Sequence, residues 1–179
     1  PTGLRPVEGA RVRLEVGSAR VTPFVARNMT SFVHEKLAAQ GETGAFEDNR
    51  PLAVRCTHPL VTLIEKLDAL HRRFPNEKVE PAAFVRHFED AARVIAEEAA
   101  LPMLSDPAGA RELAREMLLE KQIAALPSSA DGAFAPTAGP RWDAIRSAHA
   151  AIGPMFWGPR VLLEDACAII REWSARFFG

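Results

Sequence analysis

The sequence predicts a mostly helical protein of the α+β class, in which a small sheet precedes a helical bundle. Residues 11–16, RVRLEV, alternate strictly between apolar and polar side chains, which is typical of a strand with one buried face. Beyond residue 57, apolar residues instead recur every three or four positions, which is the period of a helix with one buried face. We therefore expect strands and one helix in residues 1–57 and a helical domain in residues 58–179.

The first part should contain short extended segments around a single helix. After the strand at 11–16, residues 19–25 form a second, shorter extended segment, which its proline restricts to a sheet edge. Asn28 is placed to cap a helix that runs to about residue 39 and is closed by Gly41. Residues 52–56, LAVRC, then predict a strand that returns to the same sheet.

The second part should contain five helices. The first begins with Pro59 in its first turn and carries a leucine stripe that ends at residue 74. The other four are predicted over residues 82–95, 106–126, 142–152 and 162–177. The stripes are long enough to enclose one continuous core.

Composition excludes several classes of protein. The 179 residues are 47% hydrophobic and 25% charged, with a net charge of −1, so the overall charge does not indicate binding to nucleic acid or to a membrane surface. Cys56 and Cys167 lack metal-ligand spacing and fit two reduced, buried thiols. We find no apolar run that could cross a bilayer and no signal peptide, so we expect a cytoplasmic protein without a membrane partner.

The predicted helix at 82–95 gathers polar residues that a buried helix does not need. Arg86, His87 and Asp90 lie within one turn and a half of each other, and Lys66 lies beside the leucine stripe of the preceding helix. Each has an ordinary explanation. Lysines on helices are mostly solvated, and Arg86 with Asp90 has the spacing of a weak surface ion pair. A histidine beside an apolar stripe is more often a packing residue, and Glu15 on the polar face of a strand is usually solvated.

The order of these motifs nevertheless resembles one family. Four stretches are similar to the AbiEii-type abortive-infection nucleotidyltransferases, toxins within the DNA polymerase beta-like nucleotidyltransferase superfamily. They are VRLEVGSAR at 12–20, PLVTLIEKLDALH at 59–71, RHFED at 86–90 and GPMFWGPRVLLEDACAIIREW at 153–173. The last stretch resembles the family's Met-Phe-x-Gly turn and closing helix. The resemblance implies part of a nucleotidyltransferase sheet followed by the helical C-terminal domain.

The resemblance also implies roles for single residues. It gives Lys66 and Asp90 the catalytic positions, with Lys66 holding the nucleotide's phosphates, and places Arg86 and His87 as further nucleotide-binding residues. Glu15 takes the place of an acidic residue that faces the metal site. The implied cofactor is Mg²⁺, and the implied partners are an NTP, an acceptor such as the 3′ end of tRNA, and an antitoxin encoded next door. These residue types suit the chemistry, since nucleotidyl transfer relies on positioning and charge neutralisation.

The chain also departs from the family pattern. Val61 stands where the family often has Arg, and Glu89 stands where it often has Tyr. The family's Gly-Ser turn and Asp-x-Asp pair do not precede Glu15, and the chain begins at Pro1, so we expect the C-terminal part of an enzyme that is inactive alone. Degeneration to a non-catalytic helical binding module, with Lys66, Arg86 and Asp90 in structural ion pairs, stays open. So does a regulatory or docking domain that uses the exposed aromatic residues of MFWG and RFFG.

Overall fold

The computed structural model of the protein describes residues 20, 22–45, 47, 50, 52–155 and 158–179. These residues form two strands and six α-helices, together with single 3₁₀ turns. The elements in chain order are β1 (Phe24–Arg27), α1 (Phe32–Gln40), β2 (Val54–Thr57), α2 (Pro59–Arg73), α3 (Arg86–Ala96), α4 (Pro107–Leu119), α5 (Pro140–Ala151) and α6 (Leu163–Phe178). The predicted class, α+β and mostly α, is confirmed.

The sheet consists of β1 and β2, which pair antiparallel with Phe24 opposite Thr57 and Arg27 opposite Val54. Both strands fall close to the extended segments predicted from the sequence. The strand predicted at 11–16, with Glu15, lies outside the described residues.

Helix α1 begins three residues later than Asn28 predicts. Ser31 is the cap, and its Oγ accepts a hydrogen bond of 3.1 Å from the backbone N–H of His34. Asn28 instead accepts a 3.0 Å hydrogen bond from the N–H of Ala53, which ties the segment after β1 to the segment before β2. The helix ends at Gly41, as predicted, where the backbone is left-handed with φ of 75°.

The core lies entirely within the helical part of the described chain, because every buried apolar residue among those described falls between residues 60 and 177. Helix α3 packs against α2 and α6 at its centre. The largest fully buried side chains of the core are those of Trp173, Phe84, Phe88, Phe134, Phe177, Leu60, Leu63, Ile64, Leu67, Leu70, Leu104 and Met117. Helix α1 buries none of its residues. The division at residues 57 and 58 stays a prediction, but the core is consistent with it.

Local signals place the starts of two helices correctly. Pro59 and Pro107 both occupy first-turn positions, behind His58 and Asp106 respectively. Each cap side chain accepts a hydrogen bond from the backbone N–H two residues on, at 3.0 Å for His58 Nδ1 and 3.1 Å for Asp106 Oδ1.

Other predicted boundaries are wrong. Helix α4 ends at Leu119 instead of about residue 126, because Lys121 adopts a φ of 60° and the next N–H turns back to the carbonyl of Met117. Helix α3 begins at Arg86 instead of residue 82, because Phe84 leaves the helical region with φ of −140° and ψ of −12°.

The aromatic side chains of RFFG pack on the core and do not form the exposed docking surface that one hypothesis from the sequence required. Phe177 is buried and stacks on Trp173 with ring centroids 4.4 Å apart, and Phe178 is half-buried against the same core. The aromatic residues of MFWG, at 156 and 157, lie outside the described residues. None of the helices in the described part of the chain has the length and apolar character needed to cross a membrane.

Candidate functional site

Lys66 and Asp90 meet across the contact between α2 and α3. Nζ of Lys66 lies 2.7 Å from Oδ2 of Asp90. Their neighbours Leu67 and Ala91 are buried in the core, so each polar residue sits at its edge. The Lys66 side chain is 21% exposed and the Asp90 side chain is 30% exposed, so a ligand from solvent can reach both.

Two further residues, Arg73 and His87, lie next to this pair. We call the four residues Lys66, Asp90, Arg73 and His87 the α2–α3 polar cluster. His87 lies one turn before Asp90, with its Nδ1 3.9 Å from Oδ2 of that carboxylate. Nη1 of Arg73, the last residue of α2, lies 3.2 Å from Nε2 of His87 and also donates to the carbonyl of Ala83 at 3.2 Å. The cluster therefore runs from a lysine through a carboxylate and an imidazole to an arginine.

The cluster keeps Asp90 ionised. Burial by itself raises the pKa of this carboxyl, but the neighbouring His87 and Lys66 outweigh burial and lower the pKa to about 2. Lys66 is the direct hydrogen-bond donor, since Nδ1 of His87 at 3.9 Å is too distant for a hydrogen bond. At neutral pH the cluster thus presents a charged carboxylate paired with a charged amine.

The other predicted site residues are placed differently. Arg86 is exposed in the first turn of α3, and the ion pairs among the described residues do not include one between Arg86 and Asp90. Asp90 turns toward Lys66 on the neighbouring helix instead. Glu15 lies outside the described residues, so its assignment to the metal site stays a prediction, as does the nucleotide-binding role of Arg86.

Sequence reasoning missed the role of Glu89. This residue is fully buried beside Asp90, and its carboxylate accepts hydrogen bonds from Nε of Arg160 at 2.6 Å, from Nη2 of Arg93 at 2.8 Å and from the N–H of Val161 at 3.1 Å. Burial raises the pKa of Glu89, but these donors together lower it below the ordinary value. Glu89 therefore anchors α3 to the segment that precedes α6.

A histidine lies against the same anchor. His149 of α5 is buried, with Nε2 3.3 Å from Nη2 of Arg160 and 3.8 Å from Oε2 of Glu89. Burial and then the charge of Arg160 lower the pKa of His149, so the imidazole is neutral at physiological pH. Helix α3 itself, helix α5 and the segment that precedes α6 thus all contribute groups around the carboxylate next to Asp90.

The described residues do not fit a magnesium site by themselves. Within the part of the chain that the structure describes, no three His, Cys, Asp or Glu side chains come close enough together to hold a metal ion. Asp90 is the carboxylate of the α2–α3 polar cluster, and its nearest charged partner is a lysine. No chemical step through a metal ion follows from this geometry.

Comparisons with known proteins found no match to this chain. It matches no protein-family model, and neither the curated proteins nor the solved structures searched contain a match. The resemblance to the AbiEii-type family therefore depends on the motifs quoted above alone.

Proposed function

We propose that this chain is the C-terminal part of a nucleotidyltransferase of the AbiEii type, in which Lys66 and Asp90 act on an NTP. The observation that supports this best is the 2.7 Å contact between the two side chains, which come from separate motifs 24 residues apart. The fold brings the lysine and the carboxylate of both motifs to one partly exposed place, as a shared active site requires.

The residue types suit phosphate chemistry. Lysine carries a compact point charge on a flexible stem, which suits contact with triphosphate oxygens. Transfer of a nucleotidyl group depends mainly on positioning and on neutralising charge that develops on those oxygens. In the proposed reaction, an incoming triphosphate competes with Asp90 for Lys66. Arg86 and His87 would complete the nucleotide-binding set from the first turn of α3.

The wider context of the reaction is supported by the resemblance alone. We call the full-length enzyme, of which this chain would be the C-terminal part, the parent protein. On the ground of the resemblance we propose that it acts in the cytoplasm as the toxin of a toxin–antitoxin pair, with an acceptor such as tRNA and a cognate antitoxin protein as partners. Mg²⁺ is the proposed cofactor and would neutralise phosphate oxygens when bound. Glu15 would be one ligand, with the rest of the site built by residues beyond those described.

A second candidate function is a non-catalytic helical binding or regulatory module. It is favoured by the fact that Lys66 and Asp90 already satisfy each other, as Arg176 and Glu98 do between α6 and the turn after α3 at 2.7 Å. Under this alternative, the α2–α3 polar cluster only fixes the packing of two helices.

Activity of the parent protein separates the two candidates. We would measure incorporation of labelled NTP into total tRNA by the parent and by Lys66→Ala, Asp90→Ala and Lys78→Ala. Lys78 is an exposed lysine in the loop after α2 and serves as the matched control. Loss of one well-placed charge from a reacting phosphate should lower incorporation about 100-fold or more for the first two variants, with the control unchanged. Equal incorporation by all four proteins would contradict the catalytic role of Lys66 and Asp90.

A further inference from the structure

The contact between Arg73 and His87 determines which nitrogen of the imidazole carries the proton. A guanidinium group can only donate hydrogen bonds, so Nε2 of His87, 3.2 Å from Nη1 of Arg73, has to accept. A neutral imidazole that accepts through Nε2 carries its proton on Nδ1. A doubly protonated imidazole would set a donor against a donor at this contact. The pair is therefore consistent only with the neutral Nδ1–H tautomer.

The Nδ1–H group of His87 has no hydrogen-bond partner among the described residues although it is buried. A buried donor without a partner is unfavourable, so its surroundings should offer a state that satisfies it. The nearest acceptor recorded for it is Oδ2 of Asp90 at 3.9 Å, about 1 Å beyond an ordinary hydrogen bond. That same oxygen is occupied by Lys66 at 2.7 Å.

We propose that Arg73 is a positioning residue: it holds His87 in the Nδ1–H tautomer, so that His87 becomes the hydrogen-bond donor to Asp90 when Lys66 turns to an anionic phosphoryl oxygen. The tautomer and the exchange of partners at Asp90 are independent of the proposed function. Only the phosphoryl ligand that draws Lys66 away rests on it.

The exchange would keep a hydrogen-bond donor on Asp90 when Lys66 leaves it. If the lysine left without a substitute, Asp90 would remain a partly buried carboxylate with no direct donor, which is costly. A shift of about 1 Å by Nδ1 of His87 would replace the lost hydrogen bond at ordinary length. Asp90 would then stay ionised and fixed in position while Lys66 holds a phosphate.

The tautomer can be tested directly by NMR of the full chain with ¹⁵N-labelled histidine. The sequence has five histidines, so the spectrum is tractable, and a His87→Gln variant assigns the signal. We expect His87 at neutral pH to carry its proton on Nδ1, and Arg73→Met to return it to the ordinary Nε2–H form. Arg115→Met, which removes an exposed arginine from α4, should leave the spectrum of His87 unchanged. The signals of the other four histidines verify that each variant is folded.

Two results would overturn the positioning role of Arg73. One is a proton on Nε2 of His87, alone or together with one on Nδ1, in the unsubstituted protein. The other is an unchanged Nδ1–H tautomer in a folded Arg73→Met variant. If Arg73→Met does not fold, Arg73→Lys takes its place, since lysine keeps the positive charge but replaces the planar fork of the guanidinium with a single ammonium nitrogen on a different stem. A mixture of tautomers in that variant would support the role.

The exchange of partners has its own test. In Lys66→Met, Asp90 loses its lysine without any ligand, so the Nδ1–H proton of His87 should move downfield as it hydrogen-bonds to Asp90. Inorganic pyrophosphate should produce the same change in the unsubstituted protein. No movement in Lys66→Met would overturn the exchange. Movement in Lys66→Met without an effect of pyrophosphate would leave the exchange standing and count against the phosphate-binding function instead.

Discussion

Glu89 of α3 accepts a 2.6 Å hydrogen bond from Nε of Arg160, a residue 71 positions later in the chain. The contact fixes the segment before α6 against the helix that carries Asp90. Arg93 and the N–H of Val161 bind the same carboxylate, so a charge that is fully removed from water is compensated by three donors. The position of the helix that carries Asp90 is therefore coupled to a segment distant in sequence.

We predict that Glu89→Ala strongly destabilises the fold. Truncation would remove the buried carboxylate that Arg160, Arg93 and the N–H of Val161 bind, and breaking a buried ion pair in this way costs about 3–5 kcal/mol of the free energy of unfolding. Glu89→Gln keeps the shape and one acceptor oxygen, so its cost should be smaller. Urea unfolding measures both variants. Glu97→Ala, one residue after α3 and exposed, is the control and should change the free energy by about 0.5 kcal/mol or less. A loss below about 1 kcal/mol for Glu89→Ala would show that the anchor is not required.

Helix starts and buried faces could be predicted from the sequence because their signals are local. A proline in the first turn marks Pro59 and Pro107, and both begin α-helices. Gly41 ends α1 because a left-handed backbone suits glycine. The end of α4 has no such signal, since Lys121 takes a left-handed conformation that lysine rarely adopts.

The motifs indicate Lys66 and Asp90 as candidate site residues, whose roles stay predictions, but they do not show which side chains contact them. Lys66 and Asp90 were named from motifs, and the structure brings them together. Arg86 has the right spacing for Asp90 but lies on the exposed face, because packing of α3 against α2 decides which neighbour the carboxylate meets. Glu89 gave only a weak signal, an acidic residue directly after a buried phenylalanine. Its partner Arg160 comes from a distant segment and could not be read from local spacing.

The Lys66–Asp90 pair should stabilise the fold only modestly. Both side chains are partly exposed, so we expect a coupling of about 1 kcal/mol between them in a double-mutant cycle. The cycle would compare thermal or urea unfolding of Lys66→Met, Asp90→Asn and the double variant. A coupling above about 3 kcal/mol would favour the non-catalytic binding or regulatory module, because the pair would then be a main contact between α2 and α3.

The same pair should make stability depend on acid pH. The pKa of Asp90 is lowered from 3.8 to about 2 in the folded protein, so its contribution is present above about pH 4 and is lost as pH falls toward 2. After screening by solvent, we expect this loss to be about 1 kcal/mol. Glu89 contributes in the same direction, because its pKa is lowered as well.

Comparing variants at two pH values isolates the contribution of Asp90. The difference in free energy of unfolding between the unsubstituted protein and Asp90→Asn should shrink between about pH 5 and about pH 2.5. Asp165→Asn, at an exposed position of α6, is the control for loss of one aspartate. A difference that stays constant over this range would show that Asp90 is not stabilised in its charged form.

The side chain of Arg86 is exposed in the first turn of α3. The proposed function assigns it to the nucleotide, and the ion pairs of the described residues give it no structural partner. Arg86→Met should therefore change the free energy of unfolding by about 0.5 kcal/mol or less. In the parent protein, it should raise the KM for NTP about 10-fold or more with little change in kcat, since a contact to the bound nucleotide lowers ground-state and transition-state energies alike. Arg115→Met removes an equally exposed arginine from α4 and should alter neither quantity. Should Arg86→Met and Arg115→Met show the same KM, Arg86 would be a solvated surface residue and the nucleotide would have to be bound by Lys66 and His87 without it.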